Sequence, residues 1–174
     1  MATVILDAGH GGSDFGATYN GRNEKDDTLA LTLAVGDLLA ANGVNVLYTR
    51  TNDIYETPTA KALEGNASGA DYFISIHRNS SPIPNQYTGI ESLVYNRNST
   101  AGKIANKINE NLEAIGFANQ GVNERKNLAV LRRTTMPAVL VEAAFINNDS
   151  DNALFDQRFN DIAKAIADGI LESI

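Results

Sequence analysis

A chain of 174 residues with 43% hydrophobic content has enough apolar side chains for one full core, so a single domain over residues 1–174 is expected. A net charge of −7 argues against electrostatic capture of nucleic acid or anionic lipid, and neither nucleic acid nor membrane is an expected partner. The absence of cysteine excludes disulfides, thiolate zinc sites and thiol nucleophiles, so any metal must be held by His, Asp or Glu.

Taken in chain order, the first stretch, MATVILDAG, lacks a basic leader region and meets Asp7 too early for a signal peptide. No apolar run in the chain approaches the roughly 18 residues that a membrane span needs. Residues 3–6 read as a short strand, which runs into the Gly-rich stretch LDAGHGG. There His10, one of only two histidines, sits among glycines that leave its ring room. Residues 24–41 carry a helical period, with Glu24, Asp26 and Asp27 placed to suit the helix dipole and Asn42-Gly43 as a stop. Further strands are expected at 44–49, 72–76, 90–95 and 138–141, with a weaker candidate at 128–131. Further helices are expected at 59–68, 99–115 and 159–174. This alternation describes an α/β domain. Runs such as VILDAG and YFISIH are apolar without strict alternation, as strands are when both faces of the sheet are covered.

In open α/β sheets ligands gather beyond the carboxyl ends of the strands, where loops converge on a rigid support. Three ionisable groups stand at such ends: His10, His77 in ISIHRNS, and Glu142 in the apolar run AVLVEAAF. Singly, each has a plain structural reading, as a hydrogen-bonded imidazole or, for Glu142, a salt bridge with Arg132 or Arg133. Together they read as one site. Two histidines and a carboxylate, with a fourth position for water, form an established zinc set. Glu24 is the leading candidate for the third ligand, with Asp14 and Asp7 as rivals. Asp7 has a second reading, as hydrogen-bond acceptor for a ligand imidazole. The glycine loop fits phosphate binding poorly, since GxGxxG from Gly9 needs glycine where Asp14 stands and no Walker lysine follows. HExxH is also absent, so the ligands must come from separate segments.

ILDAGHGGSDFGA at the start, NEK opening the first helix, TR after the second strand, SIHRN, and then NLAVLRRTTMPAVLVEAAFINN occur in this order across essentially the whole chain. This set resembles the zinc-dependent N-acetylmuramoyl-L-alanine amidases of bacterial and phage cell-wall lysis, the type-3 amidases. The resemblance implies a mixed, largely parallel sheet of about six strands flanked by helices. It implies that His10, Glu24 and His77 bind one Zn²⁺ and that Glu142 is catalytic. It further implies hydrolysis of the amide between N-acetylmuramic acid and L-alanine in peptidoglycan. Arg78 departs from the family pattern where a small residue is frequent, and Ala144 stands where glycine is often found. An altered cleft mouth or substrate preference is the expectation there. Asn79 is expected to have a structural duty.

The expected enzyme is a monomer acting on the cell wall, as a phage endolysin or a bacterial autolysin. An acidic domain gains no general attraction to anionic wall polymers, so a separate wall-binding module is the expected means of residence. The start of the chain accords with release by lysis or through a holin, and equally with a trimmed secreted protein. The rival readings are a zinc peptidase or deacetylase with another substrate, and a non-catalytic wall-binding module.

Overall fold

The computed structural model describes residues 1–174 and gathers the apolar runs into one six-stranded sheet. In chain order the elements are β1 (Thr3–Ala8), β2 (Thr18–Tyr19), β3 (Arg22–Asn23), α1 (Glu24–Ala41), β4 (Asn45–Tyr48), α2 (Pro58–Ala67), β5 (Tyr72–Asn79), β6 (Ile90–Val94), α3 (Thr100–Ile115), β7 (Asn119–Glu124), α4 (Ala129–Arg132), β8 (Ala138–Phe145), α5 (Asp149–Gln157) and α6 (Phe159–Leu171). The sheet order is β4-β1-β5-β8-β6-β7, and β2 and β3 form a separate small ribbon. Within the six-stranded sheet, neighbouring strands are parallel except β6 against β8, and the β2–β3 ribbon is antiparallel. No helix is long and apolar enough to cross a membrane.

The central strands are apolar on both faces because helices cover both. Val4 and Leu6 of β1, Ile74 and Ile76 of β5, and Val139 and Val141 of β8 join the larger core with α1, α3 and α6. Their alternates Ile5, Phe73 and Leu140 face the smaller core with Val130 and Leu131 of α4. On that face α2 approaches so closely that a β-carbon on Gly65 would lie 2.8 Å from the Phe73 ring. Helix α1 spans the expected residues and stops at Asn42, followed by Gly43 at φ 82°.

The sixth strand is not where the apolar pattern placed it. Residues 128–131 do not form a strand: Leu128 is the N-cap of the helical turn α4, its carbonyl accepting from the amides of Leu131 and Arg132. The sixth strand is β7, NQGVNE, in which only Val122 is buried. As an edge strand it pairs with β6 alone, so its pairing requires no apolar run. Helix α5 also escaped the pattern, having few apolar residues. Its start is set by Asn148, whose Oδ1 accepts from the Asp151 amide at 2.9 Å.

One buried polar cluster ties β1 to its neighbours. The Asp7 carboxylate accepts from Thr49 Oγ1 at 2.7 Å and Ser75 Oγ at 2.6 Å, and pairs with Lys61 Nζ of α2 at 2.9 Å. Burial opposes ionisation here, yet the Lys61 ammonium, the His77 imidazole and the Ser75 hydroxyl hold the carboxyl below its ordinary 3.8. A carboxyl lowered on folding contributes stability that is present above its unfolded value and lost as pH falls through the folded one. Urea midpoints of the wild type should therefore carry an acid-side loss below about pH 4. Asp7→Asn should remove that component while lowering stability at neutral pH. An acid limb of unchanged slope in the variant would refute the assignment.

Candidate metal centre

Strands β1, β5 and β8 lie side by side and parallel, so their carboxyl ends share one rim. His10 follows the end of β1, and His77 lies near the end of β5 as the cross-strand partner of Glu142 in β8. Helix α1 presents Glu24 from its first position. The buried Glu24 carboxylate sits between the two half-buried imidazoles, with Oε2 3.1 Å from His10 Nε2 and Oε1 3.1 Å from His77 Nδ1. The rings are 4.9 Å apart and nearly perpendicular, and one donor atom from each residue lies within 4.8 Å of the others. Two imidazoles and a carboxylate converging this closely match the chemistry of a zinc donor set.

Of the three candidates for the third donor, Glu24 is the one the fold places between both histidines. Asp14 lies on the opposite side of the His10 ring, where its Oδ2 takes the Nδ1 position at 2.8 Å and leaves Nε2 facing Glu24. Asp7 bonds neither imidazole, being committed to Lys61, Thr49 and Ser75. Asp14 is thus a ring-orienting carboxylate that the sequence offered only as a rival ligand.

The glycines around His10 have a steric reason. A β-carbon on Gly9 would lie 2.4 Å from the His77 ring, and one on Gly16 would lie 2.6 Å from both Glu24 Oε2 and the His10 ring. Gly16 also has φ 68°, a region L side chains avoid. Gly16→Ala should therefore displace two of the three donors and weaken metal binding by about 10- to 100-fold, the equivalent of an overpacking strain. Competition titration with a chromophoric chelator measures this; wild-type affinity would contradict the steric argument.

The electrostatics follow from the packing. Burial pushes the Glu24 carboxyl up, but hydrogen bonds from His10 and His77 more than reverse this and hold it well below the usual range. Its oxygens also accept from the backbone amides of Ala17 at 2.8 Å and Arg78 at 3.0 Å. For His10, burial disfavours the charged ring, but Glu24 and Asp14 outweigh it and raise the imidazole to about 9. The rim is therefore built to hold positive charge.

Glu142 differs from the other carboxylates. Its Oε2 is sealed from solvent and no donor in the protein reaches it. No salt bridge to Arg132 or Arg133 forms. Burial, opposed by His77 and reinforced by Glu24 and Glu91, pushes its carboxyl up to about 7. Glu91 is its cross-strand partner on β6, held by Asn123 Nδ2 at 2.7 Å and Asn79 Nδ2 at 3.4 Å. The strand pairing that brings Glu91 to the rim has no local sequence signal.

Glu142, Glu24, His10 and His77 all line one cavity of about 530 Å³, together with Asn79 and Arg125. A second cavity of about 410 Å³ shares both histidines and extends past Asp14, Glu56 and Lys61. A substrate can thus extend to both sides of the triad. Of the two departures, Arg78 borders the larger cavity and Ala144 does not. Buried Arg78 turns its guanidinium to Asp27 and to the carbonyls of Ala143 and Phe145, with Phe155 stacked beneath. Ala144 is fully buried at φ 66°, a backbone state that explains a glycine in the family pattern.

The profile of the family described as N-acetylmuramoyl-L-alanine amidase (Amidase_3) matches residues 4–172. The chain is 36% identical to the endolysin of Bacillus phage SPP1, covering 97% of this chain and 65% of that protein. It is 38% identical to the sporulation-specific N-acetylmuramoyl-L-alanine amidase of Bacillus subtilis (strain 168), covering 98% and 67% respectively. The chain thus spans about two-thirds of the length of these curated relatives. Among solved structures, the catalytic domain of CwlV, an N-acetylmuramoyl-L-alanine amidase from Bacillus (Paenibacillus) polymyxa var. colistinus, superposes with a TM-score of 0.90 at 35% identity. That match covers 99% of this chain and 97% of that one. With this fold, this triad and these matches, the chain belongs to the N-acetylmuramoyl-L-alanine amidase family.

Proposed function

We propose that residues 1–174 form one zinc-dependent catalytic domain that hydrolyses the amide between N-acetylmuramic acid and L-alanine in peptidoglycan. The observation that carries this reading is the convergence of His10, Glu24 and His77 beside Glu142 on the adjacent strand, whose Oε2 is buried and unpartnered. His10, His77 and Glu24 would hold one Zn²⁺, with Asp14 orienting the His10 ring. When bound, zinc supplies Lewis acidity, making a water acidic enough to attack near neutral pH and polarising the scissile carbonyl.

The remaining chemistry belongs to the chain. The lactyl amide is unactivated, so its nitrogen must be protonated before it can leave as an amine. Glu142 takes the proton of the attacking water on its carboxylate and delivers it to that nitrogen. A carboxyl raised to about 7 suits both halves of the exchange, because neither its acid nor its base form is strongly disfavoured near neutral pH. Cavities on both sides of the triad support this reading, since a substrate with a glycan and a stem peptide needs room to either side of the scissile bond. An acidic chain gains no general attraction to anionic wall polymers, which supports a separate wall-binding module as the means of residence.

Digestion of purified peptidoglycan tests the reading. New alanine amino termini should appear without new reducing sugar ends and without cuts inside the stem. A chelator should stop the reaction and added Zn²⁺ should restore it. Cleavage within the peptide would redirect the assignment to a peptidase, and activity indifferent to chelation would remove the metal from it.

A further inference from the structure

Arg50 is 3% exposed, yet its guanidinium forms no ion pair and donates to uncharged oxygens instead. Nε reaches the Ala8 carbonyl at 3.0 Å, and Nη2 reaches the carbonyls of Gly9 and Lys25, both at 3.0 Å. Lys61, equally buried, donates to the Ala8 carbonyl at 2.9 Å and the His10 carbonyl at 3.5 Å, besides pairing with Asp7. Three successive carbonyls, of residues 8, 9 and 10, are therefore all held by buried cations. The Gly9 carbonyl also accepts from Thr28 Oγ1 of α1 at 2.7 Å.

Two features need a cause. His10 has φ 65°, which is unfavourable for a residue bearing a β-carbon and persists only where surroundings impose it. A buried guanidinium without a counter-ion is likewise costly unless its donors are satisfied by something the fold requires. Both are explained if the cations grip the loop. Arg50 bridges the loop that carries His10 and the first turn of α1, where Lys25 follows Glu24. It therefore spans the two segments whose separation sets the distance between His10 and Glu24.

We propose that Arg50 and Lys61 are positioning residues that hold His10 and Glu24 in their binding geometry before any metal arrives. This rests on the reading of His10, Glu24 and His77 as metal ligands. Each acts through carbonyls of the ligand-bearing segments.

Amide exchange in the metal-free wild type provides the first test, because it needs no variant. The Gly9 amide, bonded to the Ile76 carbonyl at 3.0 Å, and the Gly11 amide, bonded to the Asp14 carbonyl at 2.9 Å, should be protected without Zn²⁺. Exchange at the rate of an unstructured loop, with protection appearing only on Zn²⁺ addition, overturns the proposal. The second test measures Zn²⁺ affinity by chelator competition in Arg50→Lys and in the double variant Asp7→Asn/Lys61→Met. The lysine keeps the charge but lacks the fork that spans both segments. The double variant removes both charges of a buried pair, so no lone ion is left to unfold the chain. Each should bind Zn²⁺ about 10- to 100-fold more weakly, as when an outer partner of a ligand is lost. Wild-type affinity in both folded variants overturns the proposal, and if either fails to fold the amide exchange decides. Absence of Zn²⁺ binding by the wild type would instead sink the ligand reading and this proposal with it, whereas binding without amidase products would sink only the proposed reaction.

Discussion

Replacing Glu142 by Gln is expected to lower turnover by about 10²- to 10⁴-fold, the range for loss of a positioned proton-transfer group, while metal content stays at wild-type level. Glutamine has nearly the shape of the carboxylic acid, so the strand pairing with His77 survives. What disappears is a carboxyl that can both accept and release a proton. Stability should move the other way. A carboxyl whose folded value is raised from 4.5 to about 7 weakens the fold progressively as pH rises through that interval, because the unfolded chain ionises first. The metal-free Glu142→Gln variant should therefore unfold at a higher temperature than wild type at pH 8, and the gap should shrink toward pH 4. Near-normal turnover on peptidoglycan would refute the catalytic assignment, and a variant less stable at pH 8 would refute the account of its burial.

His77→Ala should be as damaging to activity by a different route. It removes one of three converging donors and leaves Glu24 with a single imidazole, so metal content after dialysis should fall from about one equivalent to near zero. His10→Ala should do the same and should also leave Asp14 without the ring it orients. Elemental analysis separates these variants from Glu142→Gln, since all three should lose activity but only the histidine variants should lose the metal. Full occupancy in either histidine variant would count against it as a ligand.

Much of this site is legible in the sequence, and the reason is local. Each of His10, His77 and Glu142 lies at or just beyond an apolar run that reads as a strand, and a parallel sheet aligns the ends of such runs on one rim. Helix α1 was equally plain, with an acidic first turn and an Asn-Gly stop bounding its apolar residues. Two elements misled because their stability is not local. The edge strand β7 is drawn into the sheet by one neighbour with almost no apolar residue of its own. The apolar run at 128–131 instead coils as a helical turn and buries Val130 and Leu131 beneath the sheet.

Composition and pattern alone determined an α/β domain without thiol chemistry, the placement of three ionisable groups at strand ends, and a short list of carboxylates to complete them. The ordered motifs, through the family they resemble, already pointed to Glu24 rather than Asp14 or Asp7; only the tertiary structure shows its carboxylate lying between both imidazoles, because that depends on which side of a ring a carboxylate reaches. It also decided that Glu142 meets no arginine and that Arg50 and Lys61 close on the His10 loop. Such contacts join segments tens of residues apart, and no periodicity within a segment records how far away, or at what angle, another will pack.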